Sequence, residues 1–185
     1  MSYEVLKDFE FHSKVPDEVI EKYQGLVPDE LIEIWKEYGF GSFWNGYLKV
    51  INPNDYRDIL DESYLEAKVS IPIFTTAFGD IITWEDNEYA ALLKYRNGEF
   101  KNLTAGFENF FPWLAEKPKF WISRFDNDLY DKAVSKYGLC QYDECFGYTP
   151  LLVLGGAEKI ENLQKVEIIP HIELITQAAG RILEE

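Results

Sequence analysis

The sequence predicts an α+β protein, in which helices pack on a mainly antiparallel sheet. Three observations predict this class. Apolar side chains recur at helical spacing near the start of the chain, and β-rich runs separated by turn signals follow. Asn97-Gly98 then stands between two further β-rich runs, where a hairpin turn fits. Because short turns join antiparallel strands, whereas parallel strands need long crossovers, the sheet should be a meander.

Two short helices are predicted first. One covers 17–23, and the other runs from Asp29 to Tyr38 after Pro28, which suits a first helical position. The second helix has an apolar face at i, i+3, i+4 and i+7, formed by Leu31, Ile34, Trp35 and Tyr38. Gly39 stands where a left-handed residue commonly ends a helix.

Strands are predicted over 47–51, 71–78 and 81–85, with Gly79-Asp80 as the turn between the last two. Asn97-Gly98 predicts a tight two-residue hairpin turn. Alternate residues before that turn should share one face of the sheet, namely Tyr89, Ala91, Leu93 and Tyr95.

The chain becomes aromatic and helical after Gly106. Asn127 is predicted to cap a helix that ends at Tyr137. Beyond it, TPLLVL predicts a buried strand, LQKVEII another strand, and PHIELITQAAGRIL a terminal helix. A domain boundary, if present, falls at 116–119, and the regions on its two sides should pack as one compact unit.

Composition limits the classes of function. No apolar run approaches the roughly 18 residues that span a bilayer, and the N-terminus lacks the apolar core of a secretory signal. We therefore predict a cytoplasmic protein with no membrane partner. The net charge of −15 argues against direct nucleic-acid binding, which needs clustered lysine and arginine, and favours a basic protein partner.

Motifs for metal or cofactor chemistry are missing. The glycines of Gly39–Gly41 and Gly155-Gly156 lack the rest of a phosphate-binding fingerprint, so tight turns explain them better. The two cysteines, Cys140 and Cys145, have neither redox nor zinc spacing, and we expect reduced thiols. A cysteine nucleophile activated by His171 is the weaker alternative. We predict no catalytic metal and no organic cofactor.

Acidic and aromatic side chains are the candidates that are left. Two acidic clusters flank β-rich runs, and aromatic residues surround the loop glycines near 39–46 and at 147. Acids arise freely by chance in a chain with 33 of them, and aromatics often fill cores, although Trp44 and Tyr47 are more open to an interface role. The predicted partner-binding residues are Trp44, Tyr47, Asp80, Glu85, Asp86, Asp143, Glu144 and Tyr148.

Three long stretches resemble the bacterial GAD-like domain proteins, whose C-terminal part is shared with immunity proteins of type VI secretion DNase effectors. They are EYGFGSFWNGYLKVINPNDY, IPIFTTAFGDIITWE, and YDECFGYTPLLVLGGAEKIENLQKV followed by HIELITQAAG. The family is similar in general character to the wider SUKH group of toxin-immunity proteins. The resemblance implies a GAD-like region over 1–115 and an immunity-type region over 116–185.

The resemblance also implies a function. A member of this family is expected to bind a cognate toxin, often a nuclease, and to block it without catalysis, so no catalytic residue is predicted. The alternative is a small-molecule or glycan-binding domain, or a weak carboxylate-dependent hydrolase, built on the aromatic loops. A hydrolase needs a concave site with a shifted carboxylate, whereas an inhibitor presents an acidic surface with apolar anchors.

Overall fold

A computed structural model describes residues 3–183 and confirms the predicted α+β class. Seven strands form one antiparallel sheet whose spatial order follows the chain, so the meander is also confirmed. Its strands are Glu10–Ser13 (β1), Phe40–Phe43 (β2), Leu48–Val50 (β3), Ser70–Thr76 (β4), Ile81–Glu85 (β5), Tyr89–Lys94 (β6) and Glu99–Ala105 (β7). A separate hairpin consists of Glu144–Tyr148 (β8) and Leu163–Glu167 (β9).

Seven α-helices lie between or after the strands of the described chain. They are Asp17–Tyr23 (α1), Asp29–Glu37 (α2), Arg57–Ser63 (α3), Phe110–Glu116 (α4), Lys119–Ile122 (α5), Asn127–Tyr137 (α6) and Ile168–Ala179 (α7). Within residues 3–183, every helix is too short or too polar to cross a bilayer.

The large sheet has an apolar cluster on each face, as alternating side chains require. Ala91, Leu93 and Tyr95 share one cluster with residues of α3 and α7, and Tyr89 packs against it. Ala90 and Leu92 point the other way, into a larger cluster rich in aromatic rings. The predicted shared face of β6 is therefore confirmed.

The hairpin at Asn97-Gly98 forms, but the prediction of a two-residue turn is wrong. Lys94 pairs with Glu99, which leaves a four-residue loop. Only Gly98 in that loop has a positive φ, of 68°, whereas a two-residue type I′ turn needs two such residues. The longer loop lets Arg96 fold inward, where its guanidinium lies over the Phe78 ring at 4.3 Å and bonds to Asp126.

The glycine-aromatic stretch after α2 forms a hairpin. Gly39 ends the helix with φ 81°, as predicted, and its amide donates to the carbonyl of Trp35 at 3.2 Å. Strands β2 and β3 then pair across a turn in which Trp44 and Asn45 both have φ 56°. Such a conformation is strained for non-glycine residues, and the carboxylate of Asp8 holds it by accepting hydrogen bonds from both amides.

Two expectations for the C-terminal part were wrong. Asn127 is the first residue of α6 and makes no capping bond, because Asp126 precedes the helix in a left-handed conformation and pairs with Lys94 and Arg96. TPLLVL is not a buried strand. It contains a short 3₁₀ turn at Leu152–Leu154 that lies largely on the surface.

The predicted boundary at 116–119 falls between α4 and α5, and both helices contribute to one core. Phe110 of α4 packs edge-on against Trp121 of α5 at 5.5 Å, and Trp121 does the same to Phe125 at 5.1 Å. Phe110 in turn stacks on Phe74 of the sheet at 5.2 Å. The aromatic cluster is continuous across the boundary.

Candidate functional site

The two predicted aromatic anchors lie in the interior. Trp44 is 6% exposed and Tyr47 is 1% exposed, because Phe125 from the segment after α5 packs edge-on against both rings, at 5.5 and 5.9 Å. The Tyr47 hydroxyl also donates a hydrogen bond to the Phe125 carbonyl. Burial removes Trp44 and Tyr47 as direct contacts for a partner and makes them the seam that joins the sheet to the C-terminal part.

Two of the predicted acids are buried as well. Asp80 is 1% exposed and Glu85 is fully buried. The hydroxyls of Ser70 and Thr83 donate to the Glu85 carboxylate, while Thr76 donates to Asp80 at 3.3 Å. Both side chains therefore organise the β4–β5 hairpin from inside and are not surface contacts.

Asp80 carries an electrostatic cost of burial. Desolvation raises the pKa of its carboxyl from 3.8 to about 6, although Arg96 and Lys94 oppose that rise. These two cations bond to Asp126 at the start of α6, Lys94 at 2.9 Å and Arg96 at a shorter distance. The group links the β4–β5 turn, the end of β6 with the loop that follows it, and the start of α6, so it stabilises the junction between the two regions.

Solvent reaches three acids of the predicted set, Asp86, Asp143 and, in part, Glu144. Asp86 stands in the β5–β6 turn with φ 50°. Asp143 is exposed and Glu144 is half-buried, at the start of β8. Their backbone is tied down, since the Asp143 carbonyl accepts from Ile168 at 3.0 Å and the Glu144 carbonyl accepts from the buried Lys49 ammonium. The side chains are thus presented from a fixed base.

The register of the C-terminal hairpin places two glutamates directly opposite each other. Glu144 of β8 pairs with Glu167 of β9. Like charges at directly opposed positions of an antiparallel pair destabilise the sheet. Glu144 accepts a hydrogen bond from the Gln141 amide at 2.9 Å, and no described cation forms a salt bridge with either glutamate. This end of the hairpin therefore concentrates negative charge.

Beside the hairpin lies an apolar cleft of about 530 Å³, which we call the C-terminal groove. The sequence pattern does not reveal this groove, because TPLLVL is predicted to be a buried strand. Its apolar lining comes from three segments: the loop after β8, strand β9 and helix α7. The lining residues are Pro150, Leu151, Leu154, Val166, Pro170 and Leu174. The largely buried Tyr148, at 3% exposure, and His171, at 6%, form its base, and Glu167 lines its edge. Of the predicted residues, Tyr148 therefore borders this groove.

A glycine pair shapes one wall of the groove. The Gly156 amide bonds back to the Leu151 carbonyl at 3.0 Å. A Cβ on Gly156 would lie 2.1 Å from the Pro150 carbonyl oxygen, so only glycine fits this close approach. The turn therefore holds Leu154 outward, 67% exposed. Gly155-Gly156 after an apolar run was the signal in the sequence that the run turns instead of continuing as a strand.

Cysteine chemistry has no support in this arrangement. Cys145 is fully buried, and desolvation raises the pKa of its thiol to about 12, so the thiol is protonated at neutral pH. Burial also lowers the pKa of the nearby His171, which keeps the imidazole neutral. Among residues 3–183, no group of three or more His, Cys, Asp and Glu side chains is placed to hold a metal ion.

Comparisons with known proteins give two matches to families. Residues 3–95 match the GAD-like domain family, and residues 104–179 match the family described as T6SS immunity protein Tdi1, C-terminal. No curated protein matches the chain. The crystal structure of Atu4351 from Agrobacterium tumefaciens has the same fold, with a TM-score of 0.75 and 17% identity over 96% of this chain and 89% of that one.

Proposed function

Because the chain belongs to the GAD-like domain family and its C-terminal part matches that of a T6SS immunity protein, we propose that it binds and neutralises a cognate toxin. The toxin is delivered by type VI secretion, and the protein meets it in the cytoplasm. The observation that carries this proposal is the match over 104–179, the segment that contains both the opposed glutamates and the C-terminal groove.

Charge supports a nuclease as the toxin. A nuclease must present a basic surface to hold the phosphate backbone, and this chain carries a net charge of −15. Asp143, Glu144 and Glu167 stand at one end of the C-terminal hairpin, where they can take the positions of phosphates on that basic surface. Inhibition then works by masking the active surface, and the protein acts by binding without catalysis.

The alternative of a glycan or small-molecule site on the aromatic loops loses its basis. Stacking on a sugar or a planar ligand requires open aromatic faces, and Trp44 and Tyr47 are enclosed by Phe125, Tyr130 and Phe78. The carboxylate with a raised pKa, Asp80, is sealed in the same interior and has no access to a substrate.

The proposal is tested with the products of the genes adjacent to this one, each expressed as a candidate toxin and inactivated at its active site for binding measurements. We expect co-expression of this protein to rescue growth of cells that make the active toxin. Reversing Asp143 or Glu144 to lysine should slow association and reduce its dependence on salt, because rim charges steer the encounter. Glu21→Lys, an exposed reversal in α1, is the matched control and should have a smaller effect.

Association and dissociation rates at two salt concentrations show whether each acid steers the encounter or holds the formed complex. Thermal unfolding shows that each variant is folded. If the wild-type protein neither binds the neighbouring toxin nor protects cells from it, the proposed function is wrong. If binding occurs but Asp143→Lys and Glu144→Lys keep wild-type rates, the toxin is bound elsewhere on the surface.

A further inference from the structure

The C-terminal groove combines exposed apolar side chains with a concave shape. Leu154 and Leu174 come from different segments, and they are 67% and 55% exposed around one cleft. Contiguous exposed apolar surface on a soluble protein commonly marks an interaction site. The volume of about 530 Å³ lies within the roughly 300–1,000 Å³ of ligand-sized clefts.

The walls of this groove are held in place before any partner arrives. On one side, the amides of Leu154 and Gly156 both bond to the Leu151 carbonyl at 3.0 Å. On the other side, Pro170 and Leu174 belong to α7, whose Ile168, Ile172 and Ile175 are buried in the core. A preformed apolar cleft loses little conformational entropy on binding, which favours a tight complex.

The charge around the groove identifies the kind of occupant. Glu167 lines the groove and stands opposite Glu144. Among the residues that line the groove, Glu167 is the one with a charged side chain at neutral pH, so a basic segment is the complementary occupant.

A second copy of this chain is the poorer candidate. Docking two molecules that each carry a net charge of −15 brings like charges together at an edge that already holds opposed glutamates. Such a contact is repulsive unless counterions screen it. A basic partner removes the same repulsion and gains from the apolar contact.

Building on the proposed function, we propose that the C-terminal groove is the anchoring site for the toxin, and that it receives an apolar side chain flanked by lysine or arginine on a toxin segment. Leu154 and Leu174 clasp the apolar side chain, while Glu167 at the edge of the groove, with Glu144 opposite it in the hairpin, attracts the flanking cations. The groove determines how long the complex lasts, and the acids determine how fast it forms.

The experiment measures association and dissociation rates of the full-length protein with the inactivated neighbouring toxin. Leu154→Ala and Leu174→Ala truncate the two clasping side chains, and alanine suits the helical position of Leu174. Leu26→Ala is the matched control, since Leu26 is similarly exposed, at 50%, in the N-terminal region. Thermal unfolding of each variant confirms that the fold is kept.

We expect each groove variant to bind at least about thirtyfold more weakly, mainly through faster dissociation, as for a buried anchor at an interface. The Leu26→Ala control should bind like wild type. If the wild type binds but both groove variants keep wild-type rates, the groove inference is overturned while the proposed function stands. If the wild type does not bind the toxin, both are overturned.

Sedimentation of the protein alone tests the other occupant. We expect a monomer whose sedimentation does not change in Leu154→Ala or Leu174→Ala. A wild-type dimer that either substitution dissociates would assign the groove to a second copy of the chain and overturn the inference.

Discussion

The hairpin turn at Trp44–Tyr47 and the segment TPLLVLGG at 149–156 look alike in composition but have opposite places in the molecule. Both combine large apolar side chains with glycine, yet Tyr47 is 1% exposed and Leu154 is 67% exposed. The first segment is covered by Phe125, which lies far along the chain, whereas no described segment covers the second.

The difference shows where partner binding is to be sought. Aromatic side chains beside loop glycines fill a core when a later segment supplies the opposite wall. An aliphatic run becomes a surface when a glycine pair turns it back on itself, as the close approach of Gly156 to Pro150 does here. We therefore expect the aromatic seam to control stability and the C-terminal groove to control binding, and three predictions separate these roles.

The largest expected effect comes from opening the seam. Tyr47→Ala should lower the free energy of unfolding by about 3–5 kcal/mol, as removal of a buried aromatic ring does. Four rings contact Tyr47 edge-on, those of Trp44, Phe78, Phe125 and Tyr130, and all lose that contact. Denaturant unfolding measures the change.

Tyr47→Phe is the control for this prediction. It keeps the ring and loses only the hydrogen bond to the Phe125 carbonyl, so it should cost a smaller amount, about 1–3 kcal/mol. A Tyr47→Ala protein that unfolds like wild type but no longer binds the toxin would contradict the comparison, since the seam would then be a contact surface.

The second effect concerns pH and the buried Asp80. Desolvation raises the pKa of its carboxyl from 3.8 to about 6, so the folded protein holds this proton more tightly than the unfolded chain does. The site therefore stabilises the fold below about pH 4 and loses that contribution as pH rises to about 6. Asparagine cannot ionise, so Asp80→Asn should remove this loss of stability. Relative to wild type, the free energy of unfolding of the variant should rise by up to about 3 kcal/mol between pH 4 and pH 7.

The difference between variant and wild type isolates Asp80 from the other carboxyls, which titrate in both proteins. Asp86→Asn is the matched control, because Asp86 is exposed and asparagine also tolerates its left-handed backbone. Its difference from wild type should stay nearly constant with pH. An Asp80→Asn difference that is equally constant would show that Asp80 is ionised at no cost in the interior.

Local patterns in the sequence were enough for most of the fold. The apolar period predicted α2, the alternation of apolar residues predicted the two faces of β6, and Gly39 predicted a helix end, because each depends on neighbours within a few residues. The hairpin loop after β6 was the exception. Its length follows from Arg96, which folds inward toward Asp126 about thirty residues later in the chain.

The site was harder to predict for the same reason. Burial of Trp44 by Phe125, and of Asp80 beside Arg96, depends on segments that are distant in sequence, and composition contains no signal for it. Asp143 and Glu144 were predicted as surface acids, and the structure leaves Asp143 exposed and Glu144 half-buried. The opposition of Glu144 to Glu167 could not be predicted, since it depends on the register of two strands separated by fourteen residues of turns and loops.

The smallest expected effect tests that opposition. Glu167→Gln removes one of two directly opposed charges, so it should raise the free energy of unfolding by roughly 0.2–1 kcal/mol. The same change should slow association with the toxin severalfold, because a steering charge is lost. A gain in stability together with slower association would show that the opposed charges destabilise the fold but promote binding of the toxin. Glu21→Gln, an exposed change in α1, should alter neither property measurably.

The double variant Glu144→Gln/Glu167→Gln completes a cycle, and its stability should show little gain beyond that of either single variant, because the first substitution already removes the repulsion. Raising the salt concentration should shrink the gain, since screening weakens repulsion between exposed charges. If Glu167→Gln lowers stability and leaves association unchanged, the hairpin charges have a structural role, and the steering charges lie elsewhere on this acidic surface.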